Sequence, residues 1–186
     1  MNLAETIRQR RSIKRFTDRP VTREEIEQLL DAATLAPNHR LTQPWRFYVL
    51  GPEARYAYGR ALGVRKAKKL DDAGAAARLR DTVAAEHRAL PAVIAVAVIE
   101  SENLEIREED YAATMMGIQN LALSAVAMGL GTHIKTGGIM NDPDARAAAG
   151  VQANERIVAI VNVGQPAETP AAKTREAAAR LTRWVP

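Results

Sequence analysis

Ala92-Val93-Ile94-Ala95-Val96-Ala97-Val98-Ile99 is an unbroken apolar run in which five of the eight residues are β-branched. A run of this length is too short to span a bilayer and fits a strand buried on both faces. Pro91 stands immediately before it and ends whatever precedes. Downstream, Ile157 to Val163 has the same character and is closed by Gly164-Gln165-Pro166. Upstream, Trp45-Arg46-Phe47-Tyr48-Val49-Leu50 is a third strand of aromatic and β-branched types, turned at Gly51-Pro52. A shorter extended piece is expected over Thr132 to Thr136, ahead of Gly137-Gly138.

Helices separate these strands. Asn2-x-x-Glu5 and Thr22-x-x-Glu25 both have the form of a capping box. The first opens a short helix with Leu3 and Ile7 as an inward stripe. The second opens a helix with Ile26, Leu29, Leu30 and Ala33 on one face, stopped at Pro37-Asn38. Another helix is expected from Gly51-Pro52 to about Leu62, and a short one from Asp142-Pro143 to Gly150. Asp110 to Met128 is the most apolar helix, ended by Gly129 and Gly131, and belongs at the centre of the molecule or of an interface. Residues 65–90 have a helical composition but poor periodicity, and the tail is expected to form a helix around 174–181. No repeat or Gly/Ser linker divides the chain, so residues 1–186 read as one domain, a mixed α/β or α+β sandwich.

Composition narrows the chemistry. With no cysteine among 186 residues, disulfides, thiolate metal sites and cysteine nucleophiles are excluded. The three histidines, His39, His87 and His133, lack metal-ligand spacing, so no metal is expected. No segment has the length and apolarity of a membrane span, and no export signal is evident, which makes a cytoplasmic protein the simplest expectation. The net charge is +4 and the basic residues cluster at Arg8 to Arg15 and Arg65 to Lys69. Such clusters favour anionic partners.

Three segments could carry function. In Arg10-Arg11-Ser12-Ile13-Lys14-Arg15-Phe16, two guanidinium groups and a hydroxyl after a helix could grip a phosphate monoester. From this segment alone, a solvated basic turn, or side chains capping the preceding helix, accounts for them more readily. The loop Asn38-His39-Arg40-Leu41-Thr42-Gln43 lies between two prolines and could present polar groups to a ligand, although Asn38 and Gln43 could simply stabilise the loop and Trp45 belongs in the core. Gly129-Leu130-Gly131 follows a helix and precedes a strand, the reverse of the dinucleotide-binding order, so a Rossmann site is rejected. The turn could still let backbone amides approach a flat ring. Glu24-Glu25 and Glu108-Glu109 are explained by helix starts.

Taken in this order, the segments resemble the FMN-dependent nitroreductase family in its short, single-domain branch. The resemblance rests on Arg10 to Phe16, Leu35-Ala36-Pro37-Asn38-His39, Gln43-Pro44-Trp45-Arg46-Phe47, Gly129-Leu130-Gly131 and Ile160 to Pro166. It implies an α+β three-layer sandwich, a central mixed sheet flanked by helices, in an interlocked homodimer with FMN at the subunit interface. By the same resemblance Arg10, Arg11 and Ser12 correspond to phosphate and ribityl contacts, His39 to a cofactor-contacting loop position, and Ile134, Lys135 and Thr136 to the late strand at the cofactor. Lys14 is expected near the pyrimidine edge. Many relatives have Ser-x-x-Asn-x-Gln-Pro before the Trp, and Leu41 stands where that Asn would be. A ring contact is therefore expected to be absent or supplied by His39.

The implied activity is hydride transfer from NADH or NADPH to a small electron-poor acceptor, a nitroaromatic, quinone or pteridine-like ring, in a ping-pong cycle. Flavin supplies that chemistry, which fits a chain without an evident acid–base pair. An FMN-binding or flavin-modifying protein without nicotinamide-driven turnover is the alternative on the same fold. A basic nucleic-acid-binding protein is the remote one, since aromatics are few and no reading motif occurs.

Overall fold

The computed structural model describes residues 2–186. The apolar run at its centre forms β2 (Ala92–Ile99), flanked by β1 (Trp45–Val49) on one side and β4 (Glu155–Gly164) on the other. An edge strand, β3 (Gly131–Lys135), pairs with β4, giving the order β1-β2-β4-β3. All three ladders are antiparallel. Outside the four strands, a single parallel bridge from Ser12 to Thr132 lays the segment after the first helix along the free edge of β3. Seven of the eight β2 residues are buried, as a central strand covered on both faces requires.

Seven α-helices occur among the described residues: α1 (Leu3–Gln9), α2 (Arg23–Thr34), α3 (Pro52–Ala67), α4 (Ala73–Arg88), α5 (Leu104–Ala127), α6 (Pro143–Ala149) and α7 (Ala178–Leu181). They make a three-layer α+β sandwich. One face of the sheet packs Ile94, Val96, Val98, Val161 and Val163 against Leu29 of α2 and Ile118 and Leu121 of α5. The other packs Val93, Ala95 and Ile160 against Tyr58 and Ala61 of α3 and Ala145 and Ala149 of α6. Gly117 brings α5 against α2, since a Cβ there would lie 2.8 Å from the Ala33 carbonyl oxygen.

Both expected capping boxes form, with Asn2 accepting from the Glu5 amide and Thr22 from the Glu25 amide. The poorly patterned stretch resolves into the second half of α3, a short turn and α4. These helices cross antiparallel through small residues. A Cβ on Gly59 would lie 2.8 Å from the Val83 carbonyl oxygen, and one on Gly63 the same distance from the Arg80 Cα. Contacts made by glycine and alanine leave no large-apolar period, so α3 runs five residues beyond its expected end at Leu62.

Several boundaries are corrected. Asn103 caps α5, which starts at Leu104, so Glu108 and Glu109 lie in its second turn rather than at its start. The tail helix is confined to Ala178–Leu181. The α1 stripe is the clearest reversal: Leu3 and Ile7 are 69% and 53% exposed, and the buried residue of that helix is Thr6. A helix of seven residues presents one face to α5, and here Leu3 is left exposed while Ile7 borders a cavity beside the C-terminal tail.

Candidate functional site

The basic segment leaves α1 at Arg10, whose backbone turns extended with φ −56° and ψ 125°. The Ile13 amide donates to the Thr132 carbonyl at 2.8 Å, and Ile13 is buried over Gly131, where any Cβ would collide with its side chain. Phe16 bridges to Pro166. The segment is thus pinned at both ends to β3 and to the chain leaving β4. Arg10, Arg11 and Ser12, ahead of the first pin, and Lys14, between the two, line a cavity of about 570 Å³. The C-terminal tail closes its other side with Lys173, Arg175 and Glu168.

These groups are not equivalent. Arg11 directs Nη1 to the carbonyls of Arg8 at 2.6 Å and Arg10 at 3.0 Å, so it closes the end of α1. Its Nε is buried without a partner. Arg11 therefore serves the helix end as well as facing the cavity. The side chains of Arg10 and Ser12 form no hydrogen bond within the described residues, which leaves their donors directed to a ligand or to solvent. An enclosure of this size, lined by cations and a hydroxyl, fits the phosphate and ribityl end of a mononucleotide.

The His39 loop lies elsewhere. Asn38 organises it, accepting from the Gln43 amide at 2.7 Å and donating to Thr42 at 3.1 Å. Thr42 in turn donates to buried Asp110 of α5 at 2.5 Å. Leu41 and Gln43 hold positive φ angles of 50° and 46°. Asn tolerates that region better than Leu, which gives the missing Asn a backbone role besides any ring contact. Trp45 is buried with Ala36 and Ala113, as its core reading requires. His39 bonds to Glu109 at 3.0 Å, and Arg40 binds the same carboxylate at 2.8 Å. These two contacts hold Glu109 below the usual carboxylate range, the His39 hydrogen bond first.

His39 and the Arg10–Ser12 cluster do not meet within one chain. His39 is tied to Glu109 near the start of α5, whereas Arg11 shares a cavity wall with Val126 near its end. At 1.5 Å per residue, Glu109 and Val126 are about 25 Å apart.

Ile134, Lys135 and Thr136 lie along β3 and its end, outside the wall of the Arg10–Ser12 cavity. Four steps at about 3.3 Å separate Thr132, which bridges to Ser12, from Thr136, or about 13 Å. Ile134 turns toward the α2–α5 face of the sheet, and Lys135 toward the opposite face. There the Lys135 ammonium meets His87 Nε2 at 3.4 Å, while His87 Nδ1 meets the Val83 carbonyl at 2.8 Å. A carbonyl only accepts, so Nδ1 carries the hydrogen and Nε2 offers a lone pair.

Burial, and next the Lys135 charge, push the His87 pKa below that of a free imidazole. Burial, with Lys135 and Lys14, does the same to His133. A depressed folded-state value means the unfolded chain binds more protons, so this stability is complete above about pH 6.5 and is lost as the pH falls. Glu25 and Glu109, whose values are also lowered, begin to withdraw their contribution only below about pH 4.5. Melting temperatures are therefore expected to fall between pH 6.5 and 4.5 because of the histidines. In His87→Gln that slope should flatten. An unchanged slope would assign the window to other groups.

Comparison with known proteins now decides the family. The Nitroreductase family pattern matches residues 7–165. A Bacillus subtilis protein, YfhC, is 38% identical over 173 residues, covering 93% of this chain and 89% of its own. The chain belongs to the nitroreductase family. YfhC is named provisionally as an NAD(P)H nitroreductase. A nitroreductase-like protein from Bacillus cereus superposes with a TM-score of 0.86 at 30% identity, covering 100% of this chain and 96% of its own. A provisionally named nitroreductase from Desulfovibrio desulfuricans, solved in complex with FMN, gives 0.74 at 26% identity, covering 99% and 96%.

Lys173 and Arg175 are cavity residues that the sequence does not single out. They sit in an exposed tail without periodicity, and only its return to α1 brings them to the cavity. Two cations within three residues, past the last strand, were the available signal. Among the described residues, no helix is long and apolar enough to cross a membrane.

Proposed function

We propose that residues 1–186 form one FMN-binding domain that transfers hydride from NADH or NADPH to a small electron-poor acceptor. The observation that carries the reading is the cavity of about 570 Å³ walled by Arg10, Ser12, Lys14, Lys173 and Arg175 near the start of β3. Family membership and the FMN complex of a 26%-identical relative support the cofactor assignment. Arg10 and Ser12 hold the phosphate with charge-assisted hydrogen bonds, Lys173 and Arg175 enclose it from the tail, and Arg11 holds the shape of the wall. The backbone of Ile134, Lys135 and Thr136 lies along the ring, with Lys14 toward its pyrimidine edge. Bound FMN supplies hydride transfer at one ring face, and the protein supplies binding, orientation and electrostatics. Donor and acceptor use that face in turn, which gives ping-pong kinetics.

The working unit is a homodimer with the cofactor at the subunit interface. Support comes from the separation of about 25 Å along α5 between the anchors of His39 and Arg11. An isologous pair with antiparallel α5 helices brings His39 of the partner subunit to the opposite phosphate cluster. The outward-facing Leu3 and Ile7, with Met116 of α5 at 42% exposure, give that interface an apolar surface.

Purified protein is expected to be yellow, and to oxidise NADH or NADPH rapidly only after a nitroaromatic or quinone is added. Initial rates over both concentrations should give parallel double-reciprocal lines. A colourless monomer that takes up no FMN would remove the proposal.

A further inference from the structure

Lys135 is a half-buried cation that no carboxylate pairs directly among the described residues. On β3 it shares a face with His133, lying opposite Ile160 of β4, and its ammonium reaches inward to His87. No ion pair links Lys135, Lys66 or Arg65 to a carboxylate among the described residues. Arg65, from the last turn of α3, crosses the turn after β3, its Nη2 only 2.6 Å from where a Gly138 Cβ would lie. Gly138 has no side chain, and the guanidinium occupies that space.

The surrounding charges make the imbalance plain. Burial is the main cause of the lowered Lys135 pKa, and Lys66 is the next, with Glu86 of α4 opposing. Lys14 and Lys135 both act on His133. Glu86 is thus the one acid that acts on Lys135, against the charge of Lys66. Holding an ammonium partly out of water without an ion-pair partner costs stability, and an anion from outside the chain would offset that cost.

We propose that Lys135, Lys66 and Arg65 form an anion-recognition lobe that gives this enzyme a preference for acceptors bearing a carboxylate. This rests on the FMN reading above. Neutral His87 anchors Lys135 so that its charge stays at the end of β3, beside the ring. The lobe is separate from the phosphate grip, since none of its three cations lines the Arg10–Ser12 cavity. Lys135 lies three strand residues, about 10 Å, beyond the Thr132 bridge to Ser12. A second cationic focus at that remove suits a small anionic group on the aromatic acceptor rather than the cofactor's own phosphate.

The test uses oxidised, FMN-loaded dimer and two probes of similar size, 4-nitrobenzoate and 4-nitrobenzyl alcohol. Dissociation constants come from changes in the flavin absorbance, with no turnover required. The carboxylate is expected to bind about tenfold more tightly at low ionic strength, an advantage that shrinks as salt is added. In Arg65→Gln with Lys66→Gln the ratio should approach one, while Lys66→Arg alone keeps it. A wild-type ratio near one, with the alcohol still bound, overturns the lobe and leaves the reductase reading standing. So does a ratio that survives the double substitution, or one that stays while NADPH loses affinity relative to NADH. Failure of both probes to bind removes the reductase reading as well.

Discussion

Arg10→Ala combined with Ser12→Ala is expected to weaken FMN binding by about a hundredfold to ten-thousandfold, leaving a folded, colourless protein. Each lost charge-assisted hydrogen bond is worth about 1.5–3 kcal/mol, and two lost phosphate contacts give a change of that order. The fold should survive because neither side chain bonds to anything in the described residues. The bond that pins the segment runs instead from the Ile13 amide to Thr132, and the substitutions leave it intact. Arg11→Ala is the informative contrast. It removes the group that binds the Arg8 and Arg10 carbonyls, so it should lower the melting temperature of the protein even without cofactor. Flavin content after gel filtration, with a fluorescence titration of the apoprotein, measures the first effect. Stoichiometric FMN at wild-type affinity in the double variant would refute the phosphate assignment.

The difference between those two arginines shows where sequence reading stops. Arg10-Arg11-Ser12 is compatible with a phosphate grip and with a helix cap, and in the structure Arg11 alone turns back to the cap. Which guanidinium turns back to the carbonyls depends on the path after Gln9, and residue type does not encode it. The strands were easier. Ala92–Ile99 and the Ile157–Val163 run carry their burial in composition, because a central strand must be apolar on both faces. The α3–α4 hairpin was illegible for the opposite reason, its contacts being made by Gly59, Gly63 and Ala84 rather than by a repeating stripe of large side chains. Leu3 and Ile7 misled because their period is real, and in the proposed homodimer the surface they fit lies outside one chain. Lys173, Arg175 and the Lys135–His87 contact depend on long-range placement, and no local pattern foreshadows it.

That outside surface leads to the remaining large effect, a rescue between two defective chains. One parent carries Arg10→Ala with Ser12→Ala, and the other carries His39→Ala. Neither homodimer should bind FMN at wild-type affinity. Mixed dimers, isolated with distinct tags, contain two kinds of site if the cofactor lies between subunits. One site combines the damaged phosphate cluster with the damaged loop. The other takes Arg10 and Ser12 from the His39→Ala chain and an intact His39 of the partner subunit. Half of the sites should therefore bind FMN at wild-type affinity and turn over normally. The separation of about 25 Å along α5 favours this result over one built within a chain. Were the site made within one chain, every site would keep a lesion, and the mixed dimer would show only the two parental affinities. His39→Ala should leave the fold intact, since its imidazole is 71% exposed and Arg40 still holds Glu109. A titration resolving half-stoichiometric tight binding would establish the shared site, and its absence in verified mixed dimers would place His39 outside it.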